Sequence, residues 1–237
     1  LGTLVILFSG SYMMEEVGEE KYYAMLLAMM GLMIGLVTAS DLFNLWVWFE
    51  GMAISSYLLV GFYREQAASL EAWMKYFVQS ATGSVLVLIG IAIVLAQAGT
   101  LDMAEIAVAV SGVDVNRFSI LGAGALFVIG FGVKVALVPM HTWLPDAHSQ
   151  APSGISAMLS GVVIEIGLIA MLRALAVLTG SALSWGLILL GFGAVNILYG
   201  NLLALRQTVV KRLLAYSSLS HVGYILAGLG IALYSGV

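Results

Sequence analysis

One stretch, 117–152, constrains this chain more than any other, because it opens as an apolar run that carries a lysine and is then interrupted. As a helix the run is long enough to enter a bilayer, whose hydrocarbon core takes about 20 residues. Lys134 lies deep within it, and Pro139 follows before the hydrophobic character is exhausted. A proline ring removes a backbone donor and clashes with the preceding turn, so the helix is expected to kink or break there. Broken helix at membrane depth is tolerated only where it is packed in protein or lines a wet cavity. Beyond the break stand His141, Trp143, Pro145, Asp146 and His148, a polar cluster that a lipid anchor does not need. A buried lysine, a break and two histidines form the pattern of a proton or ion path.

Composition fixes the solvent. Apolar residues make up 62% of the chain and charged residues 9%, against about 45–50% and about 25% in a soluble domain. Mean hydropathy is +1.06. The chain therefore reads as an all-α, polytopic transmembrane helix bundle with a discontinuous helix. Ionisable groups are expensive inside a bilayer, so each of the few present carries information. With no cysteine, the sequence offers neither disulfides nor thiolate ligation of haem or iron–sulfur clusters. It also lacks a dinucleotide fingerprint and a P-loop, which leaves nucleotide chemistry to another subunit. The sequence opens inside an apolar run with no basic segment ahead of it. It is expected to be a piece of a longer protein, without a signal peptide.

Seven spans are predicted, at 22–40, 42–62, 72–98, the broken 117–152, 153–175, 184–205 and 208–235, after a partial one at 1–10. Loops are expected at 11–21, with Glu15 among its acids, at 63–71, with Arg64, Glu65 and Glu71, and at 99–117, with Asp102, Glu105 and Asp114. A short interfacial helix is expected near 103–111. Lys75 is read as a headgroup anchor. Lys21, Arg64, Lys75, Arg206, Lys211 and Arg212 collect on one side, with Arg117 and Arg173 on the other. The first side is thereby assigned to the cytoplasm, together with the mouth of the broken helix.

Four polar sites lie at depth. Glu50 and Lys134 are opposite charges, each alone in its span; they form a structural ion pair or a switchable one. In the second case Lys134 keeps its proton while Glu50 is near and releases it when the carboxylate withdraws. Glu165 either pairs with Arg173, two turns along, or relays protons. His221 is a packing residue or part of a hydrated path with Ser217, Ser218 and Ser220. The spacing of His141 and His148, broken by prolines, argues against a metal site.

Three motifs carry a resemblance. Val-Lys-Val-Ala-Leu-Val-Pro-Met-His-Thr-Trp-Leu-Pro-Asp-Ala-His-Ser-Gln-Ala-Pro resembles the signature of the antiporter-like, proton-translocating membrane subunits of respiratory complex I. Relatives of that family serve membrane-bound hydrogenases, F420H2 dehydrogenases and multisubunit Na+/H+ antiporters. Val-Lys-Arg-Leu-Leu-Ala-Tyr-Ser-Ser-Leu-Ser-His-Val-Gly-Tyr at 210–224 resembles its second signature, and Trp-Phe-Glu-Gly-Met-Ala-Ile-Ser-Ser-Tyr at 48–57 its third. The resemblance implies an inverted-repeat fold in which 1–237 is a single transmembrane domain of about eight helices. The first five-helix repeat would span 22–176 and the start of the second 184–237.

By the same resemblance, Glu50, Lys134, Glu165 and His221 would carry proton translocation, with His141 and His148 at the cytoplasmic intake. Glu165 stands where the family usually has a lysine, so lysine-to-lysine transfer does not carry over unchanged. The implied function is ion translocation, H+ or Na+, coupled to electron transfer in partner subunits of a quinone-reducing or hydrogenase complex in a prokaryotic cell membrane. The alternatives are a subunit of a multisubunit Na+/H+ antiporter and a non-conducting structural subunit. No cofactor is expected in this chain; iron–sulfur clusters, flavin or a nickel–iron centre would belong to the partner membrane and peripheral subunits. Nucleic acid is not expected as a partner.

Overall fold

The computed structural model describes residues 1–14, 16–112, 115–178 and 185–235; the loop residues Glu15 and Asp114 and position 184 of the sixth predicted span lie outside the described residues. It is a bundle of helices: α1 (Gly2–Tyr12), α2 (Glu19–Thr38), α3 (Leu42–Val60), α4 (Ala67–Ala98), α5 (Met103–Val110), α6 (Arg117–Val135), α7 (Trp143–Gln150), α8 (Ser153–Met158), α9 (Ile164–Ala176), α10 (Trp185–Ala204) and α11 (Val210–Ser235). A π-turn over Leu159–Val163 joins α8 to α9, so those two form one span.

Six helices among the described residues are long and apolar enough to cross a membrane. The 19-residue α3 is not one of the six; its polar groups lower its hydropathy, yet it packs between α2 and α4. The expected loop at 63–71 is shorter than predicted. Ala67 and Ala68 are strong helix formers, and Glu71 pairs with Lys75 one turn on at 2.7 Å, so α4 begins five residues before 72. The short helix expected over 103–111 is α5.

Two aspartates start helices. Asp41 accepts from the Asn44 N–H at 2.8 Å and caps α3, while Asp102 accepts from Ala104 and Glu105 and caps α5. Each satisfies backbone donors that the first turn leaves unpaired. The two caps are joined by a single antiparallel bridge. At that same end Arg173 donates to the carbonyls of Leu36, Val37 and Ala39, closing the C-terminus of α2. Arg173 is thus engaged by backbone, and among the described residues it forms no ion pair with Glu165.

The core lies where α3, α4, α6, α7 and α9 meet. Its largest fully buried side chains include Trp143, Tyr76, Phe127, Phe131 and, unusually, Lys134. Phe49 of α3 meets Phe131 of α6 edge to face, with ring centroids 5.0 Å apart. The α10–α11 pair is held differently, by backbone proximity. A Cβ on Gly193 would fall 2.8 Å from the Gly223 carbonyl oxygen, so only glycine allows this approach, a device common in helices surrounded by lipid.

Candidate functional site

The break in the long helix is built from three parts. First, α6 ends at Val135, four residues before Pro139. Ala136 adopts φ 60° and ψ 43°, its N–H bonds the Val133 carbonyl and the Leu137 N–H bonds that of Gly132. This pairing is a Schellman ending with alanine in the left-handed position usually taken by glycine. The proline is therefore not what stops the helix; it lies in the irregular segment that follows, after a cis Val138–Pro139 peptide.

Second, Asn196 of α10 reaches into the break. Its Oδ1 accepts from the Val138 N–H at 2.8 Å and its Nδ2 donates to the Ala136 carbonyl at 3.4 Å. One buried side chain thereby satisfies two backbone groups that the break exposes, as non-helical backbone at membrane depth requires. Third, Trp143 at the start of α7 donates its Nε1–H to the Val133 carbonyl at 2.7 Å. The indole also stacks on Tyr76 of α4, with centroids 4.0 Å apart and planes within 7°. The two halves of the broken helix are tied together across the gap.

Lys134 occupies the last turn of α6, where the unpaired carbonyl end of the helix favours a positive charge. It is 1% exposed. Its Nζ donates to Ser56 Oγ at 2.8 Å and to the Tyr76 hydroxyl, and it lies 4.7 Å from the centre of the Tyr76 ring. The two hydroxyls bond each other at 2.8 Å, and Ser56 donates onward to the Ala53 carbonyl at 2.7 Å. On the other side, α9 closes on the lysine stem. A Cβ on Gly167 would meet Lys134 Cγ at 3.1 Å.

Glu50 does not touch Lys134. It stands on α3 beside Phe49, close enough for its charge to act on the lysine. Its Oε2 is buried with no hydrogen-bond partner among the described residues. The two opposite charges predicted to pair are held apart.

Glu165 belongs to a different face. It precedes Gly167 by two residues, and at about 100° per residue it points roughly away from the side of α9 that presses on Lys134. There it is half-buried and electrostatically coupled to His221 of α11. His221 is exposed and packs edge-on to Tyr224; nearby, Ser218 of α11 donates to Ser160 in the π-turn at 3.0 Å. The predicted row of polar sites is thus divided, Glu50 with Lys134 on one side of α9 and Glu165 with His221 on the other.

The two histidines after the break do not come together. His141 is buried with its ring edge-on to Tyr199 of α10, 4.8 Å between centroids, and among the described residues its Nδ1 has no hydrogen-bond partner. His148 is buried and its Nδ1 shares a hydrogen bond with Ser156 Oγ at 2.8 Å, while Nε2 has no partner among the described residues. Among the described residues, no three of His, Asp and Glu group as metal ligands.

Asp146, between the histidines, is the hub of a network absent from the sequence reading. Lys75 of α4 contacts it at 2.8 Å and Arg212 of α11 bonds its other oxygen. Lys75 is therefore committed to the broken helix rather than free as a headgroup anchor. Lys211, next to Arg212, donates to the Ala151 carbonyl at 2.9 Å. Three of the cations assigned to one membrane side, Lys75, Lys211 and Arg212, thus gather at the α7 end of the break.

Comparisons with known proteins agree with this architecture. The family described as NADH:quinone oxidoreductase/Mrp antiporter, transmembrane, matches residues 39–237. NADH-quinone oxidoreductase subunit N 2 of Symbiobacterium thermophilum is 35% identical over 96% of this chain and 47% of its own length. F(420)H(2) dehydrogenase subunit N of Methanosarcina mazei is 38% identical over 87% of this chain and 42% of its own. Among solved structures, a chain of the membrane-bound sulfane sulfur reductase, an archaeal respiratory membrane complex, superposes with a TM-score of 0.85 at 33% identity. That match covers 97% of this chain and 47% of the other. The chain thus spans about half the length of the relatives it matches. With a family match over most of its length and a set of membrane-length helices, it is an integral membrane protein that belongs to the NADH:quinone oxidoreductase/Mrp antiporter family.

Proposed function

We propose that this chain is part of an ion-translocating membrane subunit of a complex I-like enzyme, and that it moves protons with energy from electron transfer in partner subunits. The observation that carries the reading is Lys134, a lysine excluded from water, set at the end of a broken helix and bonded to hydroxyls rather than to a carboxylate. A buried ammonium with no paired anion is expensive, and a lysine that gives up its proton escapes that cost. Glu50 is the modulating charge. When it approaches, the ammonium is stabilised; when it withdraws, the proton leaves.

His148 and His141 lie along the route from the Asp146 end of the break, which the distribution of cations assigns to the cytoplasm. Glu165 and His221 carry the proton beyond α9, with a carboxylate doing the work that a lysine does elsewhere in the family. The lysine favours H+ over Na+ as the transported ion, because an ammonium carries a proton and cannot ligate a cation. Residues 22–176 act as the first five-helix repeat and 184–237 as the opening of the second, in keeping with the close backbone packing of α10 on α11. The partners are the other membrane and peripheral subunits, in a prokaryotic cell membrane, and the redox centres reside in them.

Isolation of the intact assembly tests this reading. Iron–sulfur subunits should co-purify, and proton uptake into vesicles should start and stop with electron transfer. Proton movement driven by a Na+ gradient, with no electron transfer and no redox subunits, would instead make this chain part of a Na+/H+ antiporter.

A further inference from the structure

We propose that Tyr76 is a positioning residue whose hydroxyl turns between Ser56 and Lys134, so that the lysine keeps its partners and its place in both protonation states. This inference rests on reading Lys134 as a proton carrier and assigns the residue that makes such a carrier workable at 1% exposure.

The count of hydrogens carries it. Ser56 has one hydroxyl proton, and it goes to the Ala53 carbonyl. Its oxygen then has two lone pairs left, which accept from Tyr76 and from Lys134. Tyr76 donates to Ser56 and accepts from the ammonium on its own oxygen. In the charged state each of these hydroxyls is therefore used as donor and acceptor, and the third ammonium proton is left to depart. After departure Nζ holds two protons and a lone pair. Ser56 has no proton to offer that lone pair while it donates to the Ala53 carbonyl. Tyr76 does: a rotation about its C–O bond swings the hydroxyl proton from Ser56 to Nζ, and the amine still donates to Ser56. No heavy atom has to move.

The ring is built to stay in place while the hydroxyl turns. Tyr76 is fully buried, stacked on Trp143, and Trp143 is itself pinned to the Val133 carbonyl one residue from the lysine. The other titratable groups on the elements packed against the cradle are Glu50 and Tyr57 of α3, His148 of α7 and, on the far face of α9, Glu165. The first two lie nearest: the Glu50 charge acts on Lys134, and the Tyr57 ring stands edge-on to Tyr76. Among the described residues none of the four hydrogen-bonds the Tyr76 oxygen.

The test is Tyr76→Phe in the intact complex, with Ser56→Ala and Lys134→Ala made in parallel. Proton uptake per electron is followed as a function of pH. Tyr76→Phe keeps the stack on Trp143, so assembly and electron transfer are expected to persist. The pH at half-maximal uptake should move by about one unit or more, the scale of losing one charge-assisted hydrogen bond. Ser56→Ala, which removes the resting acceptor of the tyrosine proton, should move it as well. An unshifted midpoint in both variants would overturn the inference. If Tyr76→Phe fails to assemble, Ser56→Ala decides alone. Uptake that survives Lys134→Ala would sink the carrier reading itself, whereas loss there with unshifted Tyr76→Phe and Ser56→Ala sinks only the tyrosine.

Discussion

The two faces of α9 hold the same kinds of groups under opposite conditions. On one, Lys134 is sealed from water, its stem pressed against Gly167 and its ammonium in a two-hydroxyl cradle. On the other, Glu165 is half-buried and His221 exposed, with serines and asparagines along the neighbouring helices. The first site is finished, in that its geometry is fixed by contacts present in this chain. The second depends on whatever surrounds it. The lesson is that burial alone does not mark a carrier; Lys134 stands at a helix break whose freed backbone needs partners, whereas Glu165 and His221 stand on regular helix. At the break, Asn196, Trp143 and the Schellman turn account for the exposed carbonyls and N–H groups in turn.

Substitutions on the sealed face should therefore cost stability, and those on the open face should spare it. Trp143→Ala should have the largest effect, since it removes the stack on Tyr76 and the bond to Val133 and leaves a cavity. About 3–5 kcal/mol is expected, seen as loss of assembled subunit in membranes. Asn196→Ala, which strands the Val138 N–H and the Ala136 carbonyl, should cost about 1–3 kcal/mol and lower the thermal midpoint of the complex in detergent. Asp146→Asn loosens Lys75 and Arg212, but these partners are 44% and 41% exposed. Solvent screening holds that loss to about 1 kcal/mol or less, read in the same melting experiment. Glu165→Gln should leave the midpoint within about 0.5 kcal/mol of wild type while reducing proton uptake. A large drop in stability there would erase the contrast between the two faces.

Much of this was legible in the sequence. Apolar runs predicted the spans, and a lone lysine ahead of a proline marked the break, because charge in lipid is too costly to be incidental. The caps Asp41 and Asp102 follow from local chemistry. What was not legible is pairing across helices. Ser56 and Tyr76 lie 78 and 58 residues from Lys134, and Asp146 lies 71 from Lys75. No spacing rule connects such positions; only the packing of α3, α4 and α6 does. Pro139 misled for a related reason, since a proline signals that a helix stops without saying that a Schellman turn has already stopped it. Asn196 offered a usable signal: an amide in an otherwise apolar span has to find a partner.

The central claim is that Lys134, in its hydroxyl cradle, carries the proton. It is tested most directly by proton uptake per electron in vesicles holding the intact complex, wild type against Lys134→Ala, with assembly verified in the same samples. Uptake should fall with the complex intact. Undiminished uptake per electron would contradict the claim and leave this chain a scaffold between pumps.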